Sequence, residues 1–111
     1  MRCWPERGHS LGRYSYHRLA AQEFLDAVTW YGSRDRAVGL SFVEEVERAI
    51  GQILEHPDAS PVLHPEGVRR KVLQRFPYGL YYVVGGEQIR IVAVGHHKRR
   101  PAYWIRRLRK P

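Results

Sequence analysis

The residues of this chain with the most evident chemistry are cations set among aromatic rings. Arg69-Arg70-Lys71 form one run, Arg75 and Arg90 follow, and His96-His97-Lys98-Arg99-Arg100 lead into Tyr103-Trp104. Guanidinium and ammonium groups bind phosphate or carboxylate oxygens. The interleaved rings Phe76, Tyr78, Tyr81 and Tyr82 can stack bases, although a small sheet on two helices needs large side chains and most of these rings are expected in a core. The Arg69-Arg70-Lys71 run reads equally as a phosphate-binding edge or as a charged rim that guards a strand from aggregation. On a regular strand Arg69 and Lys71 share one side, and Arg75 is expected to join them. His97 is the residue placed to move a proton, at the end of an apolar run beside three cations. Its other role would be to satisfy a backbone group or face a partner. His96 and His97 are adjacent, so on a strand they point to opposite faces and make no metal site. His9, His17, His56 and His64 show no ligand spacing, and no cofactor is implied.

The net charge is +8, and it is polarised along the chain. Lys98 to Pro111 carries seven Lys or Arg and no acid, whereas Leu19 to His56 carries seven acids against three arginines. Such a basic end is a surface offered to an anionic partner, or a solubilising tail. The length of 111 residues fits one domain. The single cysteine, Cys3, excludes an intramolecular disulfide and a cysteine metal cage and fits a reducing cytoplasm. No apolar run approaches the ~20 residues that span a bilayer, so no membrane role is expected. Residues 1–13 lack the apolar core of a signal peptide and read as a loose extension or a start placed too far upstream. Residues 14–107 form the expected domain, and 108–111 a basic tail.

The elements that must position these groups follow from periodicity. Tyr14 to His17 alternates as a short strand. Ala20, Phe24, Ala27 and Tyr31 make one helical stripe, widened by Ala21, Leu25 and Val28. Gly32 to Gly39 reads as a connection. Val43, Val46, Ile50 and Ile53 form the seam of a second helix, with Ser41 and Glu44 as a candidate capping box. Pro57 ends it at His56. The helical hairpin needs a sheet to cover, and Val68–Leu73, Tyr78–Val84 and Gln88–Val94 supply it. Gly85-Gly86 is the turn between the last two strands. Leu80, Tyr82, Val84, Ile89, Ile91 and Ala93 are expected on one side, and Tyr81, Val83, Val92 and Val94 on the other. Both faces are apolar, and two helices cover only one. The other must meet the C-terminal segment or another protein. The fold class is α+β, an N-terminal strand and an antiparallel two-helix hairpin packed on a small antiparallel sheet. The last residues, RRLRKP, are expected to be mobile.

The strand–helix–helix–three-strand order resembles the ParE branch of the RelE/ParE toxins, the toxin halves of bacterial type II toxin–antitoxin pairs. The resemblance rests on Trp30-Tyr31, Phe42-Val43-Glu44-Glu45-Val46, Val68-Arg69-Arg70, RFPYGLYYVV at 75–84, IRIVAVGHHKRRP at 89–101 and Tyr103-Trp104, and covers about Tyr14 to Arg107. It implies a cytoplasmic toxin held in a hetero-oligomer by a cognate antitoxin, ParD-like or similar, with an acidic tail. Tyr81, Val83, Val92 and Val94 are then the candidates for antitoxin binding. A disordered tail that folds onto an apolar groove with charged edges is an established binding mode.

Two targets are known for such toxins, and they demand different chemistry. ParE-like members mostly poison DNA gyrase by binding. The other branch cleaves mRNA on the ribosome, which needs a base for the 2′-hydroxyl, a proton for the leaving oxygen and cations for the phosphate. His97 falls where one ribonuclease subgroup keeps a catalytic histidine, but that subgroup follows it with tyrosine, and here stands Lys98. The subgroup also places an arginine one residue before the Leu-x-Tyr segment, and here stands Gly79. Cations remain: Arg69, Arg70, Lys71, Arg75, Lys98, Arg99 and Arg100, with His97, Tyr103 and Trp104, are the target-binding candidates. A gyrase inhibitor, which is not an enzyme, is the expected function. The alternatives are a ribosome-dependent endoribonuclease using His97, Arg75, Arg99 and Arg100, and a degenerate toxin that retains only antitoxin binding.

Overall fold

Asp35 sets the shape of the helical half. In a computed structural model that describes residues 13–109, its backbone is extended (φ −160°, ψ 115°) between α1 (Arg18–Arg34) and α2 (Arg36–Glu55). Its N–H donates to Tyr31 O, closing α1, and its carboxylate accepts from Ala37 N at 2.9 Å, opening α2. This one residue serves as C-cap and N-cap, so the connection expected over Gly32–Gly39 is helical on both sides, and Ser41 and Glu44 lie inside α2. The two glycines have a different use. A Cβ on Gly39 would stand 2.8 Å from Gly32 Cα, so they are where the helices touch. At the far end α2 stops at Glu55, as Pro57 requires.

The sheet has the order β1-β4-β3-β2, with β1 (Arg13–Tyr16), β2 (Arg69–Val72), β3 (Tyr78–Gly85) and β4 (Gln88–His96). The last three are antiparallel, as expected. β1 adds parallel to β4, Tyr14 opposite Ile89 and Tyr16 opposite Ile91, which makes the sheet mixed. Arg13 belongs to this strand, while the rest of the expected extension, 1–12, lies outside the described residues, as do Lys110 and Pro111. The β3–β4 hairpin turns through Gly86-Glu87. Only Gly86 of the two adopts a positive φ, +60°, the type II′ pattern, and Gly85 remains in the strand.

One irregularity decides which residues face where. Tyr81 pairs with Ala93 and Tyr82 with Ile91, so Val92 is an extra residue, a β-bulge. Past a bulge the alternation shifts by one. Ile89, Ile91 and Val94 therefore face the helices with Leu80 and Tyr82, and Val92 and Ala93 face away. This corrects two expected positions. Val94 is buried in the main core rather than on the outer face, and Ala93 takes its place there.

The main core is aromatic at one end: Phe42 of α2 stacks on Phe24 and Tyr31 of α1 and meets Phe76 and Tyr78 edge-on. Each such ring pair adds roughly 0.5–1.5 kcal/mol beyond area burial. The outer face has its own small core. Trp104, 3% exposed, tilts over Tyr81 at 5.5 Å and covers Val92 and Ala93. The C-terminal segment thus folds back on the sheet. Ile105–Arg109 form a short 3₁₀ turn, so 106–109, expected to be mobile, are ordered, and Leu108 packs on the outer cluster.

Candidate functional site

Two carboxylates that lie on the apolar stripes of the helices hold the end of the sheet where the cations gather. Glu23 of α1 accepts Val94 N–H at 2.9 Å and both terminal nitrogens of Arg107 at 3.0 and 2.9 Å. Arg107 also donates to Val92 O at 3.0 Å. β1 leaves the sheet after Tyr16, so the edge of β4 beyond Ile91 is satisfied by this ion pair instead of by a strand. Glu45 of α2, 5% exposed, accepts from Gln74 N and Arg75 N at 2.6 and 3.0 Å and so fixes the β2–β3 turn. Neither acid was singled out in the sequence. The available signal was position: Glu23 follows Ala20 and Glu45 follows Phe42 by three residues, on core-facing stripes, where a carboxylate must find donors.

The cations separate into different roles. Arg69 is occupied: its guanidinium donates to Ser60 O at 2.6 Å and Asp58 O at 3.1 Å and ties the 58–60 loop to β2. Arg70 lies on the outer face, its stem against Gly79, where an added Cβ would stand 3.1 Å from Arg70 Cγ. Arg69 and Lys71 share one side of β2, opposite Tyr82 and Leu80, and Lys71 and Arg75 line a hollow of about 180 Å³ with Glu45, Arg48 and Gln52. His97 donates its backbone N–H to Pro77 O at 2.9 Å, and it is exposed together with Lys98, Arg99 and Arg100. The Arg99 guanidinium covers the Tyr103 ring at 3.8 Å and lies 3.8 Å from Glu23. Tyr103 in turn lies on Gly95, where a Cβ would meet its hydroxyl at 2.7 Å. Gly79 and Gly95 are cross-strand partners, so this part of the outer face is a bare lane filled by Arg70 and Tyr103.

On the other side of Arg99 a groove of about 390 Å³ runs between α1 and the sheet end, lined by Asp26, Trp30, Tyr31, Tyr78 and His96. His96 meets Tyr78 edge-on at 5.2 Å, and its Nδ1 accepts Lys98 N–H at 3.0 Å. The phenols around this end resist ionisation. Burial raises Tyr31, and burial with the nearby Tyr31 and Glu23 raises Tyr78. Burial raises Tyr103 strongly, and the neighbouring Glu23 adds to it. These tyrosines hold their protons at neutral pH and are poor bases. Chemically, the end of the sheet presents cations and rings for binding, with the exposed side chain of His97 beside them. Among the described residues no three His, Cys, Asp or Glu gather to hold a metal ion, and no helix is long and apolar enough to cross a membrane.

The family model of the ParE toxin of type II toxin–antitoxin systems, parDE, matches residues 14–101. The chain belongs to the ParE toxin family. The architecture agrees: a chain of the chromosomal ParDE toxin–antitoxin system from P. aeruginosa superposes with a TM-score of 0.68 at 19% identity, over 78% of this chain and 96% of that one. At that identity the likeness speaks for the fold. No curated protein sequence matches the chain. The ParE match spans both helices and all four strands but for Arg13, and it ends at Pro101, before Tyr103, Trp104 and Arg107. The segment that covers the outer face therefore lies outside the matched region.

Proposed function

We propose that this ParE-family chain is a growth-arresting toxin that acts by binding DNA gyrase and is neutralised by a cognate antitoxin. The observation that carries the reading is the state of the positions a ribonuclease would use. Gly79 has no side chain and its lane is filled by Arg70, His97 is followed by Lys98 and stands open to solvent, and the tyrosines nearby are held protonated. Cations that bind are present, while proton transfer has one exposed candidate. Lys98 and Arg100 project from the turn after β4 and are the contacts most readily offered to an acidic target surface.

The test is a supercoiling assay with purified gyrase, beside growth curves on induction without the neighbouring gene product. Dose-dependent loss of supercoiling with arrest is expected. Reversal of Lys98 and Arg100 to Glu should raise the inhibitory concentration by about tenfold or more. Unchanged supercoiling across a wide concentration range removes gyrase as the target. Codon-phased mRNA ends after induction would install the ribonuclease in its place, and normal growth would remove the toxin reading altogether.

A further inference from the structure

The C-terminal segment covers only half of the outer face of the sheet. Tyr103 and Trp104 lie over the half built from Gly79, Gly95, Tyr81 and Ala93. Toward the β3–β4 hairpin the face stays open, as a hollow of about 460 Å³ whose floor is Val83, Val92 and Leu108. Its rim carries Arg90, Arg107 and Arg109, against the single acid Glu66. The three arginines differ. Arg107 is committed to Glu23 and Val92 O, and Arg109 reaches Glu66 only at 3.9 Å with both side chains largely in solvent. The Arg90 guanidinium makes no hydrogen bond or ion pair among the described residues, although Arg90 is half-buried in the middle of the sheet between Val83 and Ser15.

We infer that this open half of the outer face is the docking surface for an acidic, partly aliphatic peptide segment of the antitoxin, with Arg90 receiving a carboxylate. The inference rests on the toxin–antitoxin reading above and adds where the partner sits. Charge and floor together choose the occupant. A guanidinium held on an apolar sheet and lacking an acid of its own is completed by a carboxylate, bidentate where the geometry allows. An aliphatic floor takes Leu, Ile or Val from the same segment. A nucleic-acid strand is disfavoured, because the hollow has no ring on which a base could stack. The open half also lies away from Lys98 and Arg100, at the opposite end of β4, so partner and target would meet different ends of the sheet.

The experiment is calorimetric titration of the purified chain with the purified product of the adjoining reading frame, at two salt concentrations. Arg90→Glu should weaken binding by at least ~10-fold, and Arg90→Met by less. Arg36→Glu on the helical hairpin, with the same change of charge, should leave binding within about twofold. Thermal unfolding of each variant establishes that it is folded. Equal losses for Arg90→Glu and Arg36→Glu would reduce the effect to general attraction and overturn the inference. Unchanged affinity of Arg90→Glu would overturn it too. So would loss of single-stranded oligonucleotide binding or of self-association in that variant with antitoxin binding intact. If the wild-type chain fails to bind the adjoining protein at all, it is the toxin–antitoxin reading that falls.

Discussion

Two glutamates on core-facing stripes do more to organise this molecule than any of its cations. Glu23 joins the edge of β4 to Arg107, and both side chains are mostly buried, at 16% and 12% exposure. Removal of one partner leaves the other charge stranded, so Glu23→Gln is expected to cost roughly 3–4 kcal/mol, the lower part of the range for breaking a buried pair. Urea denaturation measures it, and a double-mutant cycle with Arg107→Met should show coupling, whereas additive losses would mean the pair acts separately. Glu45 is different in kind, because it satisfies two backbone N–H groups rather than a cation. At the level of single residues His97 carries the sharpest functional contrast. His97→Ala should leave inhibition of gyrase within about twofold, since the imidazole is exposed and its only described hydrogen bond runs through the backbone. A large loss would return His97 to the centre of the chemistry.

The elements show how the same residue type can mislead or inform. Gly32 and Gly39, met in sequence, read as a turn, because glycine is the usual residue of connections. Here each sits inside a helix, and what they permit is contact between helices. The consequence is asymmetric. Gly39→Ala drives a Cβ to 2.8 Å from Gly32 Cα and should destabilise by about 1–3 kcal/mol. Gly32→Ala meets nothing within 4 Å and should gain up to ~1 kcal/mol from helix propensity. Thermal denaturation of the two single variants checks the sign of each. Other elements were legible for clear reasons: the helical stripes, the stop at Pro57, the three antiparallel strands and the apolar outer face all come from local pattern. The Val92 bulge was not, since an extra residue in a run of Ile, Val and Ala changes no local preference, yet it exchanged the faces of Ala93 and Val94. The cover supplied by Trp104 was one of two open options, and it comes together with a long-range ion pair, Glu23–Arg107, that no local window contains. Of the cations, sequence proximity grouped Arg69 with Lys71 and Arg75, but a loop 9–11 residues away takes Arg69 for its carbonyls.

For the molecule as a whole, buried phenols link stability to alkaline pH. Tyr16, Tyr31, Tyr78 and Tyr103 are all raised above the ordinary phenol value of 10.0, burial being the first cause in each. A raised folded-state value means that the unfolded chain loses these protons first, so their contribution is complete below about pH 10 and is lost as pH rises above it. Urea midpoints between about pH 8 and about pH 11 should hold level and then fall, and Tyr103→Phe should fall less steeply. Identical slopes would show that Tyr103 has no part in it. The sheet order has a consequence of another sort, in the time of synthesis. β1 is made before both helices, and its one neighbour among the described residues, β4, is made after both helices and the other strands. At roughly 5–20 residues per second, Tyr14 waits on the order of 4–15 s for Ile89 to be joined to the chain, and Glu23 waits for Arg107, 84 residues on. Until then the ribosome carries a helical hairpin with its apolar side uncovered. A message broken or a ribosome stalled before β4 therefore releases a fragment without a finished sheet, and the cell meets the completed surface only from a chain read past Arg107.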